Sequence, residues 1–177
     1  GNAVDAAVCA ASVLNVVEPM STGGGGEVFA LIFDSKTKKI EALNGSGKSS
    51  IRTNIDDLRN LGMDSIPLEG PYSGMSVSVP GCVDAWDQLQ KKFGVFSLDT
   101  VLVPAIDYSQ NGFGVSEITA NSWKLAGKKL SINERCEFLP NGRTPDFGEK
   151  VVLPDLNRTL KGISENGRSY IYDGVLP

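Results

Sequence analysis

Few side chains in this sequence are equipped for catalysis, and histidine is absent from all 177 residues. Its absence removes the usual general base near neutral pH, the Ser-His and Cys-His pairs, and the commonest metal ligand. A carboxylate pair, a Ser-Lys pair and a terminal amine remain. Asp56-Asp57 and Asp84 with Asp87 are the close acids, and both sets read as charges at helix starts or on exposed faces. Ser46 and Lys48 stand two apart in a glycine-bearing loop, a spacing that suits a Ser-Lys dyad but also arises by chance. Cys9, Cys82 and Cys136 are far apart, odd in number and without a Cys-x-x-Cys spacing, so they signal neither a disulfide framework nor a zinc site. They read as packing residues, and no metal or other cofactor is implied.

Gly45-Ser46-Gly47-Lys48-Ser49 resembles the end of a phosphate-binding loop. That motif needs an earlier glycine, and Ala42 stands in its place. It also needs a strand leading into a helix, whereas a hairpin pattern precedes it here. One mechanism dispenses with histidine altogether: an N-terminal Thr, Ser or Cys uses its own α-amine, with a pKa of about 7.7–8.0, as the base. Gly1 offers no such nucleophile, so chemistry of this kind places the nucleophile outside the chain.

Behind these residues stand the elements that must position them. Ala3 to Val17 is Ala-rich, free of Pro and Gly, and apolar on every face, which predicts a helix covered on all sides. It is too short to span a bilayer and carries Asp5 and Asn15 without a basic leader, so no membrane or signal segment is read there. Pro19 stops it, and Gly23 to Gly26 follow. Four residues without Cβ carry a high entropic cost on folding, and bare backbone between two buried elements implies close packing or a ligand.

Val28 to Phe33 and Lys39 to Leu43 flank a polar turn and predict a β-hairpin. Asn44 to Ser50 is a loop. Ser76 to Val79 alternates like a short strand before Pro80-Gly81. Val83, Trp86, Leu89, Gln90 and Phe93 then fall at helical spacing, ended by Gly94. A helix over Leu98 to Gln110 presents Val101, Leu102, Ala105 and Tyr108 on one face, with Gly112 as its stop. The next, from about Ser116 to Leu130, is expected to bury Ile118, Trp123 and Ala126. Glu134 to Gly148 is irregular, with a turn at Pro140-Asn141-Gly142. The last helix begins at Asp155, turns Leu156, Leu160 and Ile163 inward, and ends at Asn166-Gly167, while Tyr170 to Pro177 closes nothing. The two tryptophans read as core.

The order is α+β: helix, β-hairpin, then mainly helices. With 41% hydrophobic residues and no internal repeat or linker, the chain can bury one ordinary core. The net charge of −4, with no basic stripe, argues against a nucleic-acid partner.

Several segments together resemble the gamma-glutamyltranspeptidase family. They are Gly1-Asn2-Ala3-Val4-Asp5-Ala6-Ala7-Val8 and then Glu18-Pro19 through the glycine run to Phe29. Ser76-Val77-Ser78-Val79-Pro80-Gly81 with Val83, Ala85 and Trp86 is similar to the family's central Val-Pro-Gly segment. Pro104-Ala105-Ile106 with Asn111-Gly112-Phe113 and Val115 matches its next helix and turn, and Asp155 to Gly167 with Tyr170, Tyr172 and Gly174 matches the tail.

The resemblance implies an N-terminal-nucleophile hydrolase fold, a sandwich of two β-sheets between helical layers. It implies a precursor that cleaves itself into large and small subunits, whose new N-terminal threonine carries the acyl group to water or an amino acid. Residues 1–177 then form a single fragment of the large-subunit domain, inactive alone. Its partners are an amide or γ-glutamyl substrate, the remainder of the large subunit, and the small subunit.

Glutathione-using members carry an arginine just after the second strand, where a guanidinium fork grips the substrate's α-carboxylate. Ser46 stands at that place here. The loop Asn44-Gly45-Ser46-Gly47-Lys48 is similar to that of the family's acylase-like branch. Asn44, Ser46 and Lys48 are therefore the expected substrate-binding residues, with Lys48 and Arg52 as the nearby cations. The alternatives are a non-catalytic α+β binding or structural module, in which the glycines only allow close packing, and a nucleotide binder. The compartment is open between cytoplasmic and periplasmic or secreted.

Overall fold

A computed structural model describes residues 1–68, 70–128, 130 and 136–174. The chain forms two compact units, one of residues 1–24 and 86–177 and the other of residues 25–85.

The first unit is helical. α1 (Ala3–Val17) starts on a capping box: the Asn2 side chain accepts the Val4 and Asp5 N–H groups, and Asp5 accepts the Asn2 N–H at 2.6 Å. Burial runs along one face, through Asp5, Val8, Ser12, Asn15 and Val16. The expectation of a helix covered on all sides is thus corrected, since Ala3, Ala6, Ala7, Ala10 and Leu14 are exposed. Apolar composition all round does not say which face finds a partner within this chain.

α3 (Cys82–Phe93) spans the boundary between the units, and α4 (Leu98–Asn111) packs on α1 and on α6 (Pro154–Asn166). α5 (Glu117–Gly127) takes its N-cap from the Ser116 hydroxyl, which accepts the Thr119 N–H. A two-residue antiparallel pair, β3 (Phe113–Gly114) with β4 (Lys150–Val151), closes the core of Val16, Ala105, Phe113, Val115, Ala120, Trp123, Val151, Leu153 and Leu160. A short α7 (Ser169–Tyr172) ends the described chain, where the sequence alone shows no element.

Trp86 and Trp123 are both buried, and the Trp123 indole donates to the Phe138 carbonyl at 2.9 Å. Three inward assignments are corrected. Tyr108 is 44% and Ile118 80% exposed, while Ser109, Thr119 and Ala120 are buried on those helices. Asp87 is buried and pairs with Lys91 at 2.7 Å rather than lying on an exposed face. Small polar side chains can enter a core when each finds a partner: Asn157 of α6 donates to the Ile106 carbonyl and to the Ser109 hydroxyl, both at 2.9 Å. Of the irregular stretch expected from Glu134 to Gly148, residues 134 and 135 lie outside the described residues, as do 175–177 of the tail. The Pro140–Gly142 turn is present.

The second unit is built on the hairpin of β1 (Val28–Asp34) and β2 (Lys39–Gly45), antiparallel with Val28 opposite Gly45. Residues 76–79 form no strand: Ser73–Ser76 is a turn of 3-10 helix, and Val79 makes a single backbone bond, its N–H to the Lys48 carbonyl at 2.9 Å. Pro80 has no N–H with which to continue a ladder. α2 (Ile55–Asn60) is an addition to the expected elements, capped by Asn54 and carrying Asp56 and Asp57 in its exposed first turn.

Candidate functional site

Three tight glycine contacts in the second unit form a backbone crossing, where the loop after β2 meets the segment before α3. A Cβ on Gly47 would lie 1.4 Å from the Val79 carbonyl oxygen, and one on Gly81 would lie 2.0 Å from the Gly45 carbonyl oxygen. A Cβ on Gly45 would lie 2.6 Å from both the Ala85 Cβ and the Val28 carbonyl oxygen. No residue but glycine fits at these positions. The crossing is tied by the Val79–Lys48 bond and by the Gly26 carbonyl, which accepts the N–H groups of both Gly81 and Cys82 at 3.0 Å where α3 begins.

The loop is thereby presented in one conformation. Asn44 and Ser46 are joined by an Asx turn, the Ser46 N–H donating to Asn44 Oδ1 at 3.0 Å. Asn44, Ser46 and Lys48 are all exposed, alternating with half-buried Gly45 and Gly47. The structure thus brings the three expected binding residues onto one short, accessible segment.

The expected set omits a fourth residue, Glu27. Its carboxylate accepts the Ser78 hydroxyl at 2.7 Å, the Ser46 hydroxyl, and the Gly47 N–H at 3.4 Å. The Ser78 and Ser46 hydroxyls hold its carboxyl below the usual glutamate range, with the Gly47 N–H adding to them. In sequence, Glu27 is only the residue after the glycine run, and its partners are 20 and 51 positions away. A single acidic residue between glycines and a strand is the one signal that marks it.

The crossing also settles the phosphate-loop reading. The Gly47 N–H that would cradle a phosphate is spent on a carboxylate, and no helix follows Lys48 before Ile55. The glycine run behaves differently from the crossing. A Cβ on Gly23, Gly24 or Gly25 would meet nothing within 4 Å, and none of the four glycines has a positive φ. Packing within this chain therefore does not account for them.

In the first unit, the family-like start of the sequence forms its own small site of order. Asp5 Oδ1 accepts the Val95 and Phe96 N–H groups at 3.0 and 3.1 Å, and the Asn2 amide donates to the Phe93 carbonyl at 2.6 Å. Burial opposes ionisation of Asp5, yet the backbone N–H groups of Asn2, Phe96 and Val95 together outweigh it and lower its pKa. Cys9, Cys82 and Cys136 are free thiols, and burial pushes that of Cys82 up to about 12, far from a nucleophile's range.

A comparison with protein families matches residues 1–177, the whole chain, to Gamma-glutamyltranspeptidase. The chain belongs to the gamma-glutamyltranspeptidase family. It is 40% identical over 181 residues to the Glutathione hydrolase-like YwrD proenzyme of Bacillus subtilis, covering 99% of this chain and 33% of that protein. It is 31% identical over 176 residues to the Glutathione hydrolase proenzyme of the same organism, covering 98% of this chain and 30% of that one. Among solved structures, cephalosporin acylase from Bacillus halodurans superposes with a TM-score of 0.83 at 34% identity, over 96% of this chain and 32% of that chain. Helicobacter pylori gamma-glutamyltranspeptidase superposes at 0.84 with 28% identity, over 97% of this chain and 50% of that chain.

The chain thus spans about a third of the length of the curated relatives it matches. The mixed helix-and-hairpin fold read from the sequence is the family's own, part of its N-terminal-nucleophile hydrolase architecture. Among the described residues, no helix is long and apolar enough to cross a membrane.

Proposed function

We propose that residues 1–177 are one fragment of the large-subunit domain of an amidohydrolase or acyltransferase, and that the Asn44–Lys48 loop borders its acyl site. The observation that carries this reading is the family match along the entire chain. The nucleophile is then a threonine outside these residues, and the acyl group, γ-glutamyl or a related one, passes through an acyl-enzyme to water or an amino acid. The loop's role is to orient the acyl group: its backbone is locked at the Gly47–Val79 crossing, so Asn44, Ser46 and Lys48 are held in place before substrate arrives.

The partners proposed for this fragment are the rest of the same gene product and the amide substrate. The hairpin supports the first. Phe29, Leu31, Phe33 and Ile40 share one face and are 60–79% exposed, an apolar surface of the kind that proteins cover. The glycine run supports the second, because bare backbone in open space lets a ligand or chain approach closely.

The test is turnover of γ-glutamyl and non-γ-glutamyl amides, side by side, by the full-length processed protein. Hydrolysis or transfer of either class is the expected result. No turnover of any amide, or a gene product without a candidate N-terminal threonine, overturns the proposal.

A further inference from the structure

Glu27 is adjacent to the proposed acyl-binding loop without being part of it, and its three partners use up donors rather than acceptors. An ionised carboxylate only accepts, so the Ser46 hydroxyl must give it its single proton. The Gly47 N–H also goes to Glu27, and the Ser46 N–H goes to Asn44 Oδ1. Ser46 is left with oxygen lone pairs facing outward and a negative charge behind them. The charge has no ion-pair partner among the described residues, and Lys48 forms no ion pair there either. Nor can the loop move away to release these donors, because Gly47 and Gly81 are each held against a carbonyl oxygen.

We infer that Glu27 is a positioning and specificity-determining residue that holds Ser46 as a hydrogen-bond acceptor, so that this point of the loop takes a donor on the acyl group, an ammonium or amide N–H, and not a carboxylate. The inference rests on the reading that the loop borders the acyl site. An anion at Ser46 would meet no free proton and would stand next to a like charge. An ammonium meets a lone pair and an opposite charge, the stronger kind of hydrogen bond. A carboxylate elsewhere on the same acyl group is left to Lys48.

Three p-nitroanilides separate the groups: γ-glutamyl carries both an amino group and a carboxylate, glutaryl lacks the amino group, and 4-aminobutyryl lacks the carboxylate. With the full-length processed protein, γ-glutamyl should exceed glutaryl in kcat/KM by about tenfold or more, expressed in KM. Glu27→Gln should shrink that ratio at least fivefold with kcat little changed, and Glu27→Asp, which keeps the charge, should retain most of it. A wild-type protein that prefers glutaryl to γ-glutamyl overturns the inference without any variant. So does a Glu27→Gln protein that slows all three amides equally, which marks a purely structural role. If wild-type protein turns over none of the three but hydrolyses other amides, the specificity inference fails and the acyl-transfer reading stands. Turnover of no amide at all fails both.

Discussion

Gly47 lies against Val79 so closely that a Cβ on the glycine would fall 1.4 Å from the Val79 carbonyl oxygen. Two backbones meet there, and neither can rotate away as a side chain would. Gly47→Ala should therefore separate the Asn44–Lys48 loop from the Val79–Gly81 segment, at a stability cost on the order of 3 kcal/mol. It should also lower amide turnover more than tenfold. Gly74→Ala is the control, since a Cβ there meets nothing within 4 Å and its φ is not positive. Thermal melting of the two variants of the full-length protein should differ by several degrees.

Replacing Ser46 with the arginine found in glutathione-using relatives should improve γ-glutamyl turnover. The guanidinium adds a charged fork for an α-carboxylate and finds Glu27 beside it as an orienting partner. The measurement is KM for a γ-glutamyl amide. If wild-type protein already prefers γ-glutamyl substrates and Ser46→Arg leaves KM unchanged, the loop does not bind that group.

Asp5 links stability to pH. Its folded-state pKa is lowered below the unfolded value of about 3.9, so its contribution is present above that pH and is lost as pH falls through the folded value. Asp5→Asn should destabilise the protein at neutral pH and flatten the acid limb of its unfolding curve. Denaturant titrations at several pH values between 2 and 7 would show the two curves converging at the acid end. Parallel curves would mean that Asp5 acts only through packing.

A methyl group on Gly162 would lie 2.1 Å from the Tyr170 ring, which is seated on that bare turn of α6. Gly162→Ala gains about 1 kcal/mol of helix propensity but must displace the ring, for a net loss of roughly 1–2 kcal/mol. Combined with Tyr170→Ala, the same substitution should become neutral or stabilising. Additive effects in the double-mutant cycle would show that the contact is not shared.

Asn157 closes a buried polar triangle with Ser109 and the Ile106 carbonyl. Asn157→Ala strands those groups and should cost about 1–3 kcal/mol. Asn157→Ala with Ser109→Ala should recover part of it, read as the midpoint of urea unfolding.

How much of this was legible in the sequence depended on the range of the interaction. α1 was placed to the residue, because Asn2, the alanine run and Pro19 are all local signals. The hairpin and the starts of α3, α4 and α5 followed from alternation, helical spacing and caps, which also act within a few residues. The misses were of two kinds. Ile118 and Tyr108 were assigned inward by periodicity, but a helix with apolar residues on several faces does not say which face will be covered. The strand expected at 76–79 fails because its alternation found no ladder to join, only the Lys48 carbonyl.

By itself, the sequence determined the family, the element order, the lack of a histidine base and the serine at the arginine's place, since each is written in residue types and close spacings. Only the tertiary structure decided which glycines are indispensable. The run Gly23–Gly26 stands out in sequence, yet it is Gly45, Gly47 and Gly81 that have backbone pressed against them. Glu27 likewise gains its meaning only when Ser46, Gly47 and Ser78 converge on one carboxylate. The reason in both cases is that a close approach or a shared proton belongs to a pair of distant segments, and no local pattern in either segment records it.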